Sequence, residues 1–81
     1  MTPETTRDVL TAEGVVEKVS RGDLYTVTVQ LGAWKRTVLA KRAGRLVTMK
    51  IKIVAGDVVR VEVSPFDVGR GRIVYRVSGS R

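Results

Sequence analysis

The residues best equipped for chemistry in this chain are its cations. Between positions 35 and 52 stand Lys35, Arg36, Lys41, Arg42, Arg45, Lys50 and Lys52 with no acid among them, and Arg70, Arg72 and Arg76 form a second group. Such side chains bind anions: a lysine ammonium is a mobile point charge, and an arginine fork grips phosphate and stacks on bases. Trp34, just upstream in a turn, offers an aromatic surface that can stack on a base or close a barrel mouth. Bond-making chemistry has no comparable support. The chain holds no histidine and no cysteine, which removes the commonest general base, the commonest zinc ligand and any disulfide. After Asp23 the only acids are Asp57, Glu62 and Asp67. Asp57 and Asp67 read as turn residues and Glu62 as an outward strand residue among cations, so no carboxylate pair is formed, and no Gly-rich nucleotide loop occurs. The expectation is a binding protein that is not an enzyme and needs no cofactor or metal.

The charge is lopsided. Fifteen Lys and Arg against eight Asp and Glu give +7. Residues 1–34 carry three cations and five acids, a net of −2, whereas residues 35–81 carry twelve cations and three acids, a net of +9. Apolar Val38, Leu39, Leu46, Ile51 and Ile53 are interleaved with the 35–52 cations. The basic stretch is therefore a folded surface rather than a loose tail, the footprint of a phosphate-backbone binder. No apolar run approaches the ~20 residues of a membrane span, and the first residues lack a signal-peptide core, so a soluble cytoplasmic protein is expected.

These cations must be held by strands. Residues 1–8 are polar and aperiodic and read as a flexible tail; 9–77 form one small domain, and 78–81 a flexible end. A first strand over 9–19 contains Gly14, the mark of a bulge or bend. Ser20-Arg21-Gly22-Asp23 makes a hairpin turn with Gly22 at positive φ. From 24 to 31, Tyr25, Val27, Val29 and Leu31 alternate with Thr26, Thr28 and Gln30, the clearest strand in the chain. Gly32-Ala33-Trp34 turns into a third strand over 35–41. Residues 42–49 admit a short helical turn, and Lys50-Ile51-Lys52-Ile53 alternates again. Val59, Val61 and Val63 alternate with Arg60 and Glu62 until Ser64-Pro65 stops the ladder, and a last strand follows Gly69-Arg70-Gly71. Val27 and Val61 are expected in the core, Tyr25 and Tyr75 with them, and Phe66 over a barrel end. Glycines 69 and 71 suit either a turn or a close approach of backbone to ligand. The element order is that of an all-β, five-stranded OB-fold barrel with a short helical turn between strands 3 and 4.

The stretch Gly56 to Arg76, GDVVRVEVSPFDVGRGRIVYR, resembles the C-terminal half of bacterial translation initiation factor one. Gly14-Val15-Val16-Glu17, Tyr25-Thr26-Val27-Thr28-Val29 and Gly32 fall, without gaps, where that family has its first two strands and the following turn. The resemblance spans roughly residues 13–76 and implies the same barrel. It further implies binding to ribosomal RNA at the aminoacyl-tRNA site of the small ribosomal subunit, blocking of premature tRNA entry, and cooperation with the other initiation factors, by a monomer that makes and breaks no bond.

The chain departs from the family where the family inserts a basic loop, close to G-K-M-R-K-N-[YH]-I-R-I, into small-subunit RNA. Here that loop reads Gly44-Arg45-Leu46-Val47-Thr48-Met49-Lys50-Ile51-Lys52-Ile53. Arg45 and Lys52 keep the charge type, while Val47 and Thr48 replace the central basic pair. Upstream, the turn over 32–37 runs longer than usual and brings Trp34, Lys35 and Arg36, and Lys41-Arg42 replaces a His-Ile-type pair. The expectation is a redistributed RNA contact, with Lys41 and Arg42 as exposed strand-end cations. The alternatives are a divergent paralogue with an altered RNA target, a general single-stranded RNA or DNA binder of cold-shock type, and a module for membrane surfaces or protein partners.

Overall fold

A computed structural model describes residues 10–21 and 23–78. The flexible ends expected over 1–8 and 78–81 lie outside these residues, except that Ser78 closes the last strand opposite Val58. Gly22 and its expected positive φ lie outside them too. In the same hairpin Asp23 takes positive φ, 61°, a region an Asp tolerates better than most side chains.

Five strands close into a barrel: β1 Leu10–Ser20, β2 Leu24–Leu31, β3 Trp34–Arg42, β4 Val58–Ser64 and β5 Asp67–Ser78, in the spatial order β1-β2-β3-β5-β4. All pairings are antiparallel except β3 with β5, which is parallel. A helix, α1, spans Gly44–Thr48 between β3 and β4. This is the OB-fold expected from the order of elements. Period-two patterning fills the interior with small branched side chains: Val27, Val29, Val38, Val59, Val61, Val63 and Ile73 are each 0% exposed. Tyr25 is also buried, so its expected place in the core holds. Val27→Ala and Val61→Ala should each destabilise the barrel by about 1–3 kcal/mol, from lost transfer energy plus a small cavity. Urea denaturation checks this, and parent-like midpoints for both variants would show the inward register to be wrong.

Two glycines let the barrel close. A Cβ on Gly14 would lie 2.5 Å from the Thr28 carbonyl oxygen and 2.8 Å from Cγ1 of both Val27 and Val29. On Gly71 it would meet Val61 Cγ1 at 2.7 Å and the Glu62 carbonyl oxygen at 2.9 Å. Gly14 pairs with Val29 on one side and Val59 on the other, so it is a close-approach residue of β1, between β2 and β4. The bulge of that strand falls further on, between Val16 and Lys18.

Three expectations need correction. Gly69-Arg70-Gly71 is not a turn. β5 already begins at Asp67, Arg70 and Gly71 pair with Leu39 and Ala40, and Gly71 serves interior packing. The residues after Gly32 are not a longer loop: the turn is only Gly32-Ala33, with Leu31 opposite Trp34, and the added residues lengthen the hairpin. Gly32 takes φ 63° at the first turn position, as a two-residue type II′ hairpin requires. Residues 50–53 join no ladder. Their alternation is nonetheless one of burial, with Ile53 inside and Ile51 packed against the core.

Candidate nucleic-acid interface

The short helix α1 positions the first group of cations. Its C-terminus is tied off by Lys50 N–H donating to the Val47 carbonyl and Ile51 N–H donating to the Leu46 carbonyl, with Lys50 at φ 58°. This is a Schellman ending, and Leu46 beneath it with Ile51 forms the apolar contact that accompanies such a motif. Leu46 is therefore an anchor, and Arg45, Val47, Met49 and Lys50 are left facing solvent.

Between this segment and β5 lies a cleft of about 590 Å³, lined by Arg45, Met49, Lys50, Lys52, Tyr75 and Arg76 among others. Two arginines stitch its walls. Arg45 Nη2 donates to the Val74 carbonyl at 3.1 Å, and Arg76 Nη1 donates to the Lys52 carbonyl at 3.1 Å. Each guanidinium has five donors, so such a bond orients the group without exhausting it. Among the described residues, Arg45, Lys50, Lys52 and Arg76 pair with no acid. Like charges collected without counterions cost energy, and an anion in the cleft relieves it.

Tyr75 belongs to this cleft and not to the core, against expectation. It is 52% exposed. The reason is a bulge: Val61 pairs with Ile73 but Arg60 pairs with Tyr75, so Val74 is an extra residue that turns Tyr75 outward. The Arg60 guanidinium lies 5.7 Å from the ring centroid and also donates to Glu13 at 3.1 Å, which backs the ring with an anchored cation. Strict alternation had no means of finding this residue. Phe66 is corrected likewise: it caps no barrel end but stands 87% exposed in the β4–β5 turn.

A second group lies on the outer face of β3 and β5, where a groove of about 580 Å³ runs past Leu39, Lys41, Arg70 and Arg72. Arg70 and Arg72 have acid neighbours, Asp67 at 4.0 Å and Glu62 at 3.1 Å, so they carry less unbalanced charge than the cleft. Arg42 is corrected from exposed cation to structural tie. Its Nε donates to Asp23 at 2.9 Å and its Nη1 to the Ile51 carbonyl at 2.9 Å, joining β3, the β1–β2 hairpin and the segment after α1. Reversing Arg42 would break charged, part-buried bonds, so Lys41 alone is the clean probe of this face. Trp34, Lys35 and Arg36 sit apart from both groups, at the start of β3, with Trp34 67% exposed. Asp57, expected as a plain turn residue, is 1% exposed, and its Oδ2 accepts the Val54 N–H at 2.9 Å.

The Asp23 carboxylate also holds the Tyr25 hydroxyl. Burial, then the hydrogen bond and charge of Asp23, raise the Tyr25 pKa above its ordinary value, with Arg42 opposing. A raised folded-state pKa contributes stability that is whole below the unfolded value, near 10, and is lost as pH climbs through the folded one. Urea midpoints should therefore fall above about pH 10, and Tyr25→Phe should flatten that decline. An equal decline in both proteins would remove Tyr25 as its cause.

Among the described residues no helix is long and apolar enough to cross a membrane. No family model matches the chain. It is 38% identical over 69 residues to translation initiation factor IF-1 2 of Polynucleobacter asymbioticus, covering 85% of this chain and 77% of that protein. Its fold matches the solution structure of translation initiation factor IF-1 from the Wolbachia endosymbiont of Brugia malayi, with TM-score 0.71 and 26% identity over 98% of this chain and 90% of that one. It also matches part of YjeQ from Thermotoga maritima, with TM-score 0.66 and 25% identity over 84% of this chain but 23% of that structure.

Proposed function

Because this chain belongs to the translation initiation factor IF-1 family, we propose that it binds ribosomal RNA at the aminoacyl-tRNA site of the small ribosomal subunit in the cytoplasm. There it blocks premature tRNA entry and assists the other initiation factors, as a monomer. The observation that carries this reading is the cleft between α1 and β5, where Arg45, Lys50, Lys52 and Arg76 gather around Tyr75 without acid partners among the described residues. Phosphate-facing cations supply affinity, and the tyrosine, backed by Arg60, supplies a flat face for a base. The mechanism is occupancy: a small rigid barrel held in a site by charge excludes a second ligand from it. Lys41 on the outer β3 face extends the contact, and Lys41→Glu should weaken subunit binding about tenfold, or 1.4 kcal/mol, without changing the fold.

A general single-strand binder would treat an unstructured oligonucleotide and the small subunit alike. The test is to measure both affinities at one salt concentration. Much tighter binding to the subunit supports the initiation-factor reading; comparable affinities would transfer the chain to the cold-shock type of function.

A further inference from the structure

Residues 50–53 join no ladder, yet they bring Lys50 and Lys52 to the cleft between α1 and β5. Two successive carbonyls of this segment are held by arginines from different strands. Arg76 of β5 donates to the Lys52 carbonyl at 3.1 Å, and Arg42 of β3 donates through Nη1 to the Ile51 carbonyl at 2.9 Å. The two braces differ in what else they face. Arg76 lines the cleft and is open to an anion that enters it, whereas Arg42 is not among the lining residues. Arg42 stands at the end of the parallel ladder, opposite Ile73, and its Nε is bonded to Asp23 at 2.9 Å.

That bond completes a chain of three groups: a carboxylate, a guanidinium and a backbone carbonyl. Arg42–Asp23 is the least exposed ion pair among the described residues, with side-chain exposures of 21% and 33%. Water therefore screens it less than the others. Charge-assisted bonds of this length are the stronger kind, and the planar fork of an arginine fixes the direction of both at once. Asp23 is itself held by the hydroxyl of buried Tyr25. The chain thus runs from the β1–β2 hairpin, past the end of β3, to the backbone between Lys50 and Lys52. Moving that carbonyl moves the ammonium groups on either side of it.

We propose that Arg42, set by Asp23, is a positioning residue for RNA binding: it meets no phosphate and acts by holding the Lys50–Lys52 backbone at the wall of the cleft. The role rests on the RNA-binding reading of that cleft and adds two residues to it, one of them an acid.

The acid gives the test its sign. Arg42 also borders the outer groove with Lys41 and Arg72, where it could meet RNA directly. On charge alone, removing Asp23 should strengthen RNA binding, and Arg42→Lys should be silent. Positioning predicts that both changes weaken it. Affinity of the full chain for isolated small subunits is measured at one salt concentration for the parent, Asp23→Gly, Arg42→Lys, Lys52→Gln and the two double variants that include Lys52→Gln. Glycine accepts the φ of 61° at position 23, and lysine keeps the charge of Arg42 without its fork. Asp23→Gly and Arg42→Lys should each weaken binding about 3- to 10-fold, and in either background Lys52→Gln should cost at least about threefold less than in the parent. A tie that only stabilised the barrel would leave the Lys52→Gln effect the same in every background. Amide exchange of the free protein gives a second reading. The Lys50 and Ile51 N–H groups, bonded to the Val47 and Leu46 carbonyls, should exchange faster in both variants while the barrel strands keep the parent's protection.

Tighter binding by Asp23→Gly, parent-like binding by Arg42→Lys, an unchanged Lys52→Gln effect, or parent-like exchange at Lys50 and Ile51 would each overturn the proposal. If small subunits do not retain the parent, the initiation-factor reading fails and the positioning role falls with it. If they retain the parent and both variants equally, the positioning role alone fails.

Discussion

Gly14→Ala is expected to lower the melting temperature by about 10–25 °C, the equivalent of roughly 3 kcal/mol in a domain this small. The new methyl would sit 2.5 Å from the Thr28 carbonyl oxygen, which is backbone and held in the β1–β2 ladder, and 2.8 Å from two core valines. Rotation of one flexible side chain cannot relieve it; β1 has to move away from β2. Total stability for a chain of this length is only about 4–12 kcal/mol, so this one methyl takes a large share of it. Gly69→Ala is the control. Its nearest contact would be Asp67 Oδ1 at 3.9 Å, and surface changes stay within about 0.5 kcal/mol. Thermal melting by circular dichroism compares the two. Equal melting temperatures would mean that the barrel closes with more slack at β1 than its packing implies.

The second large effect concerns binding. Arg45→Glu with Lys52→Glu should weaken association with the small subunit at least about 100-fold, or 2.7 kcal/mol. Two attractive charges become repulsive in a cleft whose lining residues include no acid. Both residues lie on the surface and each has one backbone bond at stake, Arg45 to Val74 and Lys52 through its own carbonyl to Arg76, of which only the first involves the altered side chain. The slope of log K against log salt should flatten by about 0.7–0.9 for every phosphate no longer neutralised. Lys18→Glu, in the acidic half of the chain, should do much less. If the double variant binds like the parent while Lys41→Glu does not, the RNA lies on the outer β3 face and the cleft is incidental.

The barrel was legible because small β-barrels write their interior in period two. The runs around Val27 and Val61 place inward residues correctly, and Gly-containing turns separate them. Charge placement was legible as a region, since 35–52 contains no acid. What failed was local register. The extra residue Val74 reverses the side of Tyr75, and a bulge leaves no mark in a run as regular as Arg72 to Arg76. Arg42 was misread for a different reason. Its partners, Asp23 and the Ile51 carbonyl, are 19 and 9 residues away, and composition cannot say which cations find acids. Glycines 69 and 71 looked alike in sequence. Only Gly71 faces the interior, and only its missing side chain matters to packing.

Co-sedimentation through sucrose gradients with isolated small subunits, isolated large subunits and assembled ribosomes decides whether the small subunit is the target. The protein should travel with small subunits, be released as salt rises with a log–log slope set by the phosphates it neutralises, and be absent from large subunits. Equal retention on both subunits, or retention on small subunits with a slope near zero, would contradict an electrostatic, small-subunit-specific factor.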